Sequence, residues 1–276
     1  MPGQNVVVST HKAWVIAVAN QKGGVAKTTS VGSLGTAFAE QGLAVLLVDL
    51  DPQACLTFSL GIDPEAVEGS VHQVLLGEIK AADVVVETED GVDLLPATIE
   101  LATAEQLLLM RTGREQLLKT ALAPLLKRYD VILLDCPPSL GVLTTVALTA
   151  AHGVLIPLQC ETLSHRGVGQ LLDTIADVRR ITNRDLRILG VLPTLYDART
   201  NHSRAVLADV SQRYGLDVLG PAIPRSIRFA EAPAAGRSVL AAGGSRTRGA
   251  QAYRALARGL VDGSAVTTAE KIGASA

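Results

Sequence analysis

Short, continuous runs of apolar residues recur along the chain, separated by longer stretches with helical periodicity. The first run, residues 14–19, is rich in β-branched side chains and ends at Asn20 before two glycines, which predicts a buried strand that enters a loop. Runs of the same kind occupy residues 44–49, 92–95, 131–135, 153–157 and 188–193. Because apolar and polar residues do not alternate within them, these runs are typical of strands that are covered on both faces of a sheet.

The stretches between the runs predict helices that alternate with the strands. The predicted helices cover residues 28–41, 114–127, 142–151, 167–181 and 203–214. Strands and helices in alternation imply right-handed crossovers between parallel strands. The predicted fold class is therefore α/β, with a single doubly wound, mostly parallel sheet and helices on both of its faces.

Three segments follow from this pattern. Residues 1–13 form a short N-terminal extension before the first strand, and residues 14–260 form one domain. Residues 261–276 are small and polar, so we expect a flexible C-terminal tail.

The loop after the first strand has the composition of a phosphate-binding loop. Residues 20–29 read Asn-Gln-Lys-Gly-Gly-Val-Ala-Lys-Thr-Thr, close to the pattern G-x-x-x-x-G-K-[ST] but with Gln21 at the first glycine position. Glycines allow backbone N–H groups to face phosphates, Lys27 can reach the β- and γ-phosphates, and the Thr28 hydroxyl can bind Mg²⁺. The alternative is a glycine turn that only connects two elements. The candidate nucleotide-binding residues are Lys22, Gly23, Gly24, Val25, Ala26, Lys27, Thr28 and Thr29.

Aspartates stand at the ends of two other predicted strands. Asp49 ends the run at 44–49, and Asp51 follows two residues later. Strand alternation places both on one side, at the edge where open α/β sheets bind ligands. The alternative is a solvated turn before Pro52. Asp135 ends the run at 131–135 and matches a carboxylate that holds Mg²⁺ through water.

Composition narrows the function further. Aromatic residues make up only 3% of the chain and the three cysteines stand far apart, which argues against single-stranded nucleic-acid stacking and against a metal cluster. No apolar run is long enough for a membrane span and no signal peptide is apparent. We therefore expect a cytoplasmic protein that does not enter a membrane.

Charge is distributed unevenly between the two halves. Residues 1–150 contain 17 acidic and 9 basic side chains, whereas residues 151–276 contain 10 and 16. Residues 221–260 contain seven arginines and the single acid Glu231, a composition that suits phosphate contacts to DNA backbone without sequence readout. A solvated surface laced with salt bridges is the alternative.

The loop at 20–29 and the two runs that lead to Asp51 and Asp135 together resemble the ParA/Soj family of partitioning ATPases. The loop itself resembles the family's deviant Walker A motif. The similarity covers about residues 14–260 and includes segments 194–200 and 223–233. It implies ATP and Mg²⁺ as cofactors, with Lys22 crossing to the partner's nucleotide in an ATP-sandwich homodimer. Ala26 and Ser226 depart from the residues usual in the family.

The resemblance also implies roles for single residues. Asp51 orients the attacking water with support from Asp49, and Lys22, Lys27 and Asp51 form the catalytic set. Thr28 and Asp135 hold the metal, while Pro224 and Arg225 lie near the base and ribose. Arg199 and Arg225 bind DNA, and Arg228 is a further candidate.

The implied function is DNA segregation by a nucleoid-associated ATPase of weak basal activity. It acts with nonspecific double-stranded DNA and a ParB-like partner that stimulates hydrolysis. Three alternatives stay open: a MinD-like ATPase that positions a cargo other than DNA, a hydrolysis-impaired module that binds DNA under nucleotide control, and a metal-cluster ATPase of the nitrogenase iron-protein kind.

Overall fold

A computed structural model describes residues 13–161, 164–197, 199–242 and 246–267 of the 276-residue chain. In that part of the chain nine strands form one sheet in the order β3-β4-β2-β5-β1-β6-β7-β8-β9. The strands are β1 (Trp14–Val18), β2 (Val45–Asp49), β3 (Val86–Glu87), β4 (Asp93–Leu95), β5 (Val131–Asp135), β6 (Gly153–Gln159), β7 (Arg187–Thr194), β8 (Val218–Leu219) and β9 (Val266–Thr267). Only β3 and β9 run antiparallel to their neighbours, so the predicted fold class is confirmed.

The central strands are buried because helices cover both faces of the sheet. All residues of β2 and β5 are buried, as expected for runs that do not alternate with polar residues. In the parallel register, Asp135 of β5 lies beside Val18 of β1 on one side and Asp49 of β2 on the other. The sheet therefore brings both aspartates to the carboxyl edge next to the loop that follows β1.

Eleven α-helices are present in the described residues: α1 (Lys27–Ala39), α2 (Cys55–Ser59), α3 (Val71–Leu76), α4 (Ala81–Val84), α5 (Leu101–Leu109), α6 (Leu117–Leu122), α7 (Val142–Ala150), α8 (Ser164–Ile181), α9 (Asn201–Tyr214), α10 (Arg228–Glu231) and α11 (Arg248–Asp262). The predicted helix over 114–127 is wrong in its extent, because only α6 is α-helical there and short 3₁₀ segments flank it. Pro124 lacks a backbone N–H, which interrupts the α-helical hydrogen bonds at this point.

Helix α11 packs on α1, which joins the C-terminal part of the domain to its first helix. The hydroxyls of Ser30 and Tyr253 lie 2.9 Å apart, and the Thr36 hydroxyl donates to that of Ser238 at 2.9 Å. The Arg254 guanidinium pairs with Glu40 at the end of α1. The helix that follows the candidate phosphate-binding loop is thus held by α11 and by the segment around Ser238.

The ends of the predicted domain fall close to the limits of the described residues. Helix α11 continues to Asp262, and β9 pairs with β8, so regular structure extends past residue 261 as far as Thr267. Residues 1–12 of the predicted extension and 268–276 of the predicted tail lie outside the described residues. No helix in the described part of the chain is both long and apolar enough to cross a membrane.

Candidate functional site

The predicted phosphate-binding loop connects Val18, at the end of β1, to Lys27, at the start of α1. Two of its residues have left-handed backbone angles, with φ of 72° at Gly24 and 63° at Ala26. Glycine adopts this region freely, whereas an L-residue such as alanine costs roughly 1–2 kcal/mol there. The conformation explains why glycine is the more suitable residue at position 26.

Lys27 is the first residue of α1, and its side chain is 7% exposed. The ammonium donates a hydrogen bond of 3.0 Å to the main-chain carbonyl of Lys22. Burial lowers the pKa of Lys27, and the negative charge of Asp135 is the largest of the effects that raise it. The loop therefore curls around a buried cation that has an acidic neighbour.

The main chain of Lys22 is held by hydrogen bonds at its N–H and its carbonyl, and its side chain pairs with a residue of the same subunit. Its N–H donates to the Asn20 Oδ1 at 3.0 Å, and the Asn20 Nδ2 donates to the Pro157 carbonyl at 2.7 Å. The Lys22 ammonium pairs with the Glu161 carboxylate, which lies just after β6, at 2.5 Å. Asn20 thus ties the loop to the neighbouring strand, and the side chain of Lys22 contacts a residue that the sequence pattern did not indicate.

Asp49 is a fully buried carboxylate with a complete set of hydrogen bonds. One oxygen accepts from the Asp51 N–H at 3.1 Å, and the other accepts from the Thr57 N–H at 2.9 Å and the Thr57 hydroxyl at 2.8 Å. Burial is the largest cause that raises the pKa of Asp49, to about 6. This carboxylate connects the end of β2 to α2 and fixes the backbone at Asp51.

Asp51 has a different environment from Asp49, although two positions separate them. Its side chain is partly exposed and lines the large cavity beside the loop. The Asp51 Oδ1 accepts a hydrogen bond of 3.0 Å from the Gln53 N–H, which closes a tight turn. The carboxylate is therefore held in place while it faces open space.

Asp135 is buried, with 1% of its surface exposed, and neither carboxylate oxygen has a hydrogen-bond partner among the described residues. Burial and then the charge of Asp49 raise its pKa well above the usual value, whereas the nearby Thr28 side chain and Lys27 charge lower it. A buried carboxylate without a partner is costly unless a cation joins it. Asp135 and the Thr28 hydroxyl are oxygen donors of the type that Mg²⁺ prefers, so the residues present fit this ion.

A cavity of about 660 Å³ adjoins the loop. Its lining includes residues that belong to the predicted site, namely Gly23, Gly24, Ala26, Lys27, Thr28, Thr29 and Asp51. The lining also includes Phe58, Ser226, Phe229, Pro233 and Tyr253, which the sequence analysis did not single out as site residues. Glycine-rich and aromatic residues around one cavity suit a ligand that carries both a phosphate and a planar base.

The two residues predicted to lie near the base, Pro224 and Arg225, stand in sequence between two residues that line this cavity. Among the described residues, Ile223 and Ser226 line the cavity, whereas Pro224 and Arg225 between them do not. Pro224 pairs with Tyr196 in an isolated β-bridge, and Arg225 is exposed. Their contact with a base stays a prediction.

Two of the predicted DNA-binding arginines gather around one acid. The Arg199 guanidinium forms two hydrogen bonds with Asp197, at 2.9 and 2.8 Å. These bonds are the largest cause that lowers the pKa of Asp197 to about 2, and the charge of Arg225 lowers it further. Arg228 pairs with Glu231 at 2.9 Å. The bridge between Tyr196 and Pro224 places the segments that carry Arg199 and Arg225 side by side, and Arg228 has an acidic partner of its own.

Other arginines of the basic segment are structural. Arg237 forms ion pairs with Asp90 and Glu89, and Arg254 forms one with Glu40. The excess of arginine in residues 221–260 is therefore partly neutralised by acids from elsewhere in the chain.

Comparison with known proteins gives consistent results. A family model described as "AAA domain" matches residues 13–188. The sporulation initiation inhibitor protein Soj of Bacillus subtilis is 44% identical over 245 residues, which cover 88% of this chain and 96% of that protein. The chromosome partitioning protein ParA of Caulobacter vibrioides is 42% identical over 257 residues, covering 92% and 96% of the two chains.

Solved structures share the fold. One, titled cobyrinic acid a,c-diamide synthase from Mycobacterium smegmatis with bound ATP analog and magnesium, has a TM-score of 0.82 and 56% identity, and the match covers 93% of this chain and 99% of that one. The cell division ATPase MinD of Pyrococcus furiosus has a TM-score of 0.72 and 25% identity over 89% of this chain and 97% of that one. The same type of fold therefore occurs in proteins with partitioning, cell-division and synthase names.

Proposed function

Because the chain belongs to the ParA/MinD family of partitioning ATPases, we propose that it is a Mg²⁺-dependent ATPase whose ATP-bound dimer binds DNA and segregates it with a ParB-like partner. The observation that carries the ATPase proposal is the buried, unpartnered carboxylate of Asp135 beside Thr28 and Lys27. The ATP analogue and magnesium in the Mycobacterium smegmatis structure support the same cofactors here.

The residues of the loop divide the chemistry between them. Lys27 and the backbone N–H groups of residues 23–29 hold the phosphates, and Thr28 with Asp135 would hold Mg²⁺. When bound, magnesium neutralises charge on the transferring phosphoryl group. Asp51 orients the attacking water from its place at the cavity wall, with its backbone fixed by Asp49. Basal turnover is slow, because a switch needs a long-lived ATP state.

Lys22 completes the neighbouring subunit's site in the proposed dimer. Its ammonium is partly exposed, with 36% of the side-chain surface accessible, so a second molecule can reach it. Lys22 and Lys27 therefore act on different nucleotides although they belong to one loop.

The proposed DNA surface centres on Arg199 and Arg225, with Arg228 beside them. Contacts to phosphates carry no sequence information, so binding is nonspecific and falls steeply with salt. Dimerisation doubles the number of arginines that one DNA duplex can meet. ATP thus controls affinity for DNA without reshaping the subunit, and the protein stays cytoplasmic and associated with the nucleoid.

The likeness to MinD favours a second candidate, an ATPase that positions a cargo other than DNA. Both candidates share the nucleotide site, and they differ in what the closed dimer binds. Strain at Ala26 favours a third, a module with impaired hydrolysis that binds DNA under nucleotide control. A hydrolysis assay separates it from the first two.

The deciding experiment titrates a labelled duplex of arbitrary sequence with protein at several salt concentrations, with ATP, ADP or no nucleotide. We expect binding only with ATP. The Arg225→Ala variant should reduce the slope of log affinity against log salt by about 1.8, since two copies lose about 0.9 each. Lys22→Ala should abolish the ATP-dependent binding, because the dimer no longer closes.

Arg180→Ala is the matched control, because Arg180 is an exposed arginine that pairs with Asp177 on α8. It should leave the binding curve unchanged. Binding that is indifferent to nucleotide, or absent at all salt concentrations while ATP is hydrolysed, would favour a cargo other than DNA. Absence of hydrolysis with intact ATP-dependent binding would favour the impaired module.

A further inference from the structure

Glu161 lies at the carboxyl end of β6, which is the neighbour of β1 in the sheet. One of its carboxylate oxygens accepts a hydrogen bond from the Lys22 ammonium at 2.5 Å. The other accepts from the Gln159 Nε2 at 2.6 Å. Glu161 is thus oriented by its own strand and contacts the lysine that distinguishes this loop from the ordinary phosphate-binding pattern.

The main chain of Lys22 is fixed independently of this ion pair. Its N–H donates to Asn20 and its carbonyl accepts from the Lys27 ammonium, each at 3.0 Å. The side chain alone is therefore free to change partner, since rotation about its bonds leaves both main-chain hydrogen bonds in place. An exchange of partner by Lys22 needs no refolding of the loop.

The ion pair lies at the surface of the subunit. The side chains of Lys22 and Glu161 are 36% and 52% exposed, so another anion can approach the ammonium. A nucleotide phosphate carries more negative charge than one carboxylate, and charge-assisted bonds to it are strong. The ammonium cannot turn toward its own subunit's carboxylate and extend to a second subunit at the same time.

We propose that Glu161 is a positioning residue for Lys22, which holds the ammonium on its own subunit until the nucleotide of a second subunit replaces it. The inference rests on the proposed function, because it presupposes the ATP-dependent dimer. Glu161 then competes with closure of the dimer and sets the protein concentration at which ATP drives association. Since each dimer contains two such pairs, two must break for each closure.

The size of the effect follows from ordinary ion pairs. Exposed pairs of this kind change an equilibrium by about 1.4- to 5-fold. Loss of both pairs should therefore lower the dissociation constant of the dimer by about 2- to 25-fold. The effect should depend on Lys22, because Glu161 acts through it.

The test measures dimer formation by sedimentation velocity across protein concentrations, with a non-hydrolysable ATP analogue and magnesium. The variants are Glu161→Gln, Lys22→Ala and the double variant. We expect Glu161→Gln to lower the dissociation constant by about 2- to 25-fold in the otherwise unchanged chain, whereas Lys22→Ala and the double variant should both remain monomeric. A merely structural role for Glu161 would instead lower the melting temperature in both backgrounds and would not tighten the dimer.

Glu115→Gln is the matched control, because it removes a different surface ion pair, with Arg114; it should leave dimerisation unchanged. A chain that dimerises with the analogue, but whose dissociation constant is unmoved or raised by Glu161→Gln, overturns this inference and leaves the proposed function standing. Failure of the unsubstituted chain to dimerise at any concentration overturns both.

Discussion

The neighbouring strands β2 and β5 each end in a buried aspartate, but the two aspartates differ in their hydrogen bonds. Asp49 and Asp135 lie side by side in the parallel register, and both are almost fully inaccessible. Asp49 accepts three hydrogen bonds, from Asp51 and Thr57, whereas Asp135 has no hydrogen-bond partner among the described residues. The carboxylate with partners connects two elements, and the one without them is available to a ligand. Burial alone therefore does not distinguish the two aspartates, whereas the presence or absence of hydrogen-bond partners does.

The largest expected effect of breaking this comparison is on stability. Asp49→Ala leaves three buried donors without an acceptor, so it should lower the free energy of unfolding by about 2–5 kcal/mol. Asp135 accepts no hydrogen bond from the described residues and is costly to bury as a carboxylate, although its charge faces Lys27. Asp135→Ala should therefore lower the free energy of unfolding of the nucleotide-free protein by no more than about 1 kcal/mol. Urea unfolding of both variants checks this. Equal losses would mean that Asp135 has partners in solution that match those of Asp49.

The next prediction concerns ATP hydrolysis, for which Asp135 should matter more than Asp49. Asp135→Asn should lower Mg²⁺-dependent ATP hydrolysis by about 10- to 100-fold, because a neutral amide holds a hydrated cation less well. Nucleotide binding without magnesium should persist, since Lys27 and the loop N–H groups remain. A magnesium titration of hydrolysis measures the change, with the exposed variant Asp177→Asn as control. Unchanged hydrolysis in Asp135→Asn would remove Asp135 from the metal site.

The dependence of stability on pH sharpens the comparison further. Burial raises the pKa of Asp49 to about 6 and that of Asp135 well above its usual value, so the folded state binds more protons than the unfolded state above about pH 4. The free energy of unfolding should then fall as pH rises through 6. Melting temperatures of the nucleotide-free protein from pH 5 to 7.5 check this. Asp135→Asn should flatten the fall, and a rise in melting temperature over this range would contradict the prediction.

The smallest expected effect concerns backbone strain. The loop after β2 contains Ala54 with φ of 50°, and the loop after β1 contains Ala26 with φ of 63°. Glycine relieves the strain but loses more entropy on folding, so Ala54→Gly and Ala26→Gly should each raise the free energy of unfolding by about 0.5 kcal/mol. Ala102→Gly, at an exposed position within α5, should lower it by about 1 kcal/mol. Losses in all three variants would show that neither loop is strained.

The central fold could be predicted because its signals are local. The six apolar runs became β1, β2, β4, β5, β6 and β7, with shifts of one or two residues at their ends. Strands β3, β8 and β9 contain two residues each and exist through pairing with a neighbour, so no pattern in the chain marks them. Helix α11 was missed because it carries the half-buried Arg254 and the exposed Arg258, whereas Tyr253, Leu256 and Leu260 are buried. Because residues 221–260 were considered only for their excess of arginine, the helical spacing of the apolar residues in α11 was overlooked.

The site divides in the same way. The loop residues, Asp49, Asp51 and Asp135 could be predicted because each stands at the end of a strand, where parallel sheets gather ligand-binding groups. Two cavity residues, Phe229 and Tyr253, lie more than 100 residues from the loop in sequence, and so does Glu161, which pairs with Lys22. No spacing rule connects such residues to the loop. The chain must fold before they meet.

The packing of α11 on α1 has a consequence for how the protein is made. Ser30, Thr36 and Glu40 of the first helix meet Tyr253, Ser238 and Arg254, which a ribosome adds more than 200 residues later. Synthesis proceeds at roughly 5–20 residues per second, so α1 waits many seconds for its outer partner. A nascent chain therefore cannot cover α1 until residues 238–254 have left the ribosome, and a chain released early has an uncovered first helix. The candidate phosphate-binding loop, which leads directly into α1, gains this support only when synthesis is nearly complete.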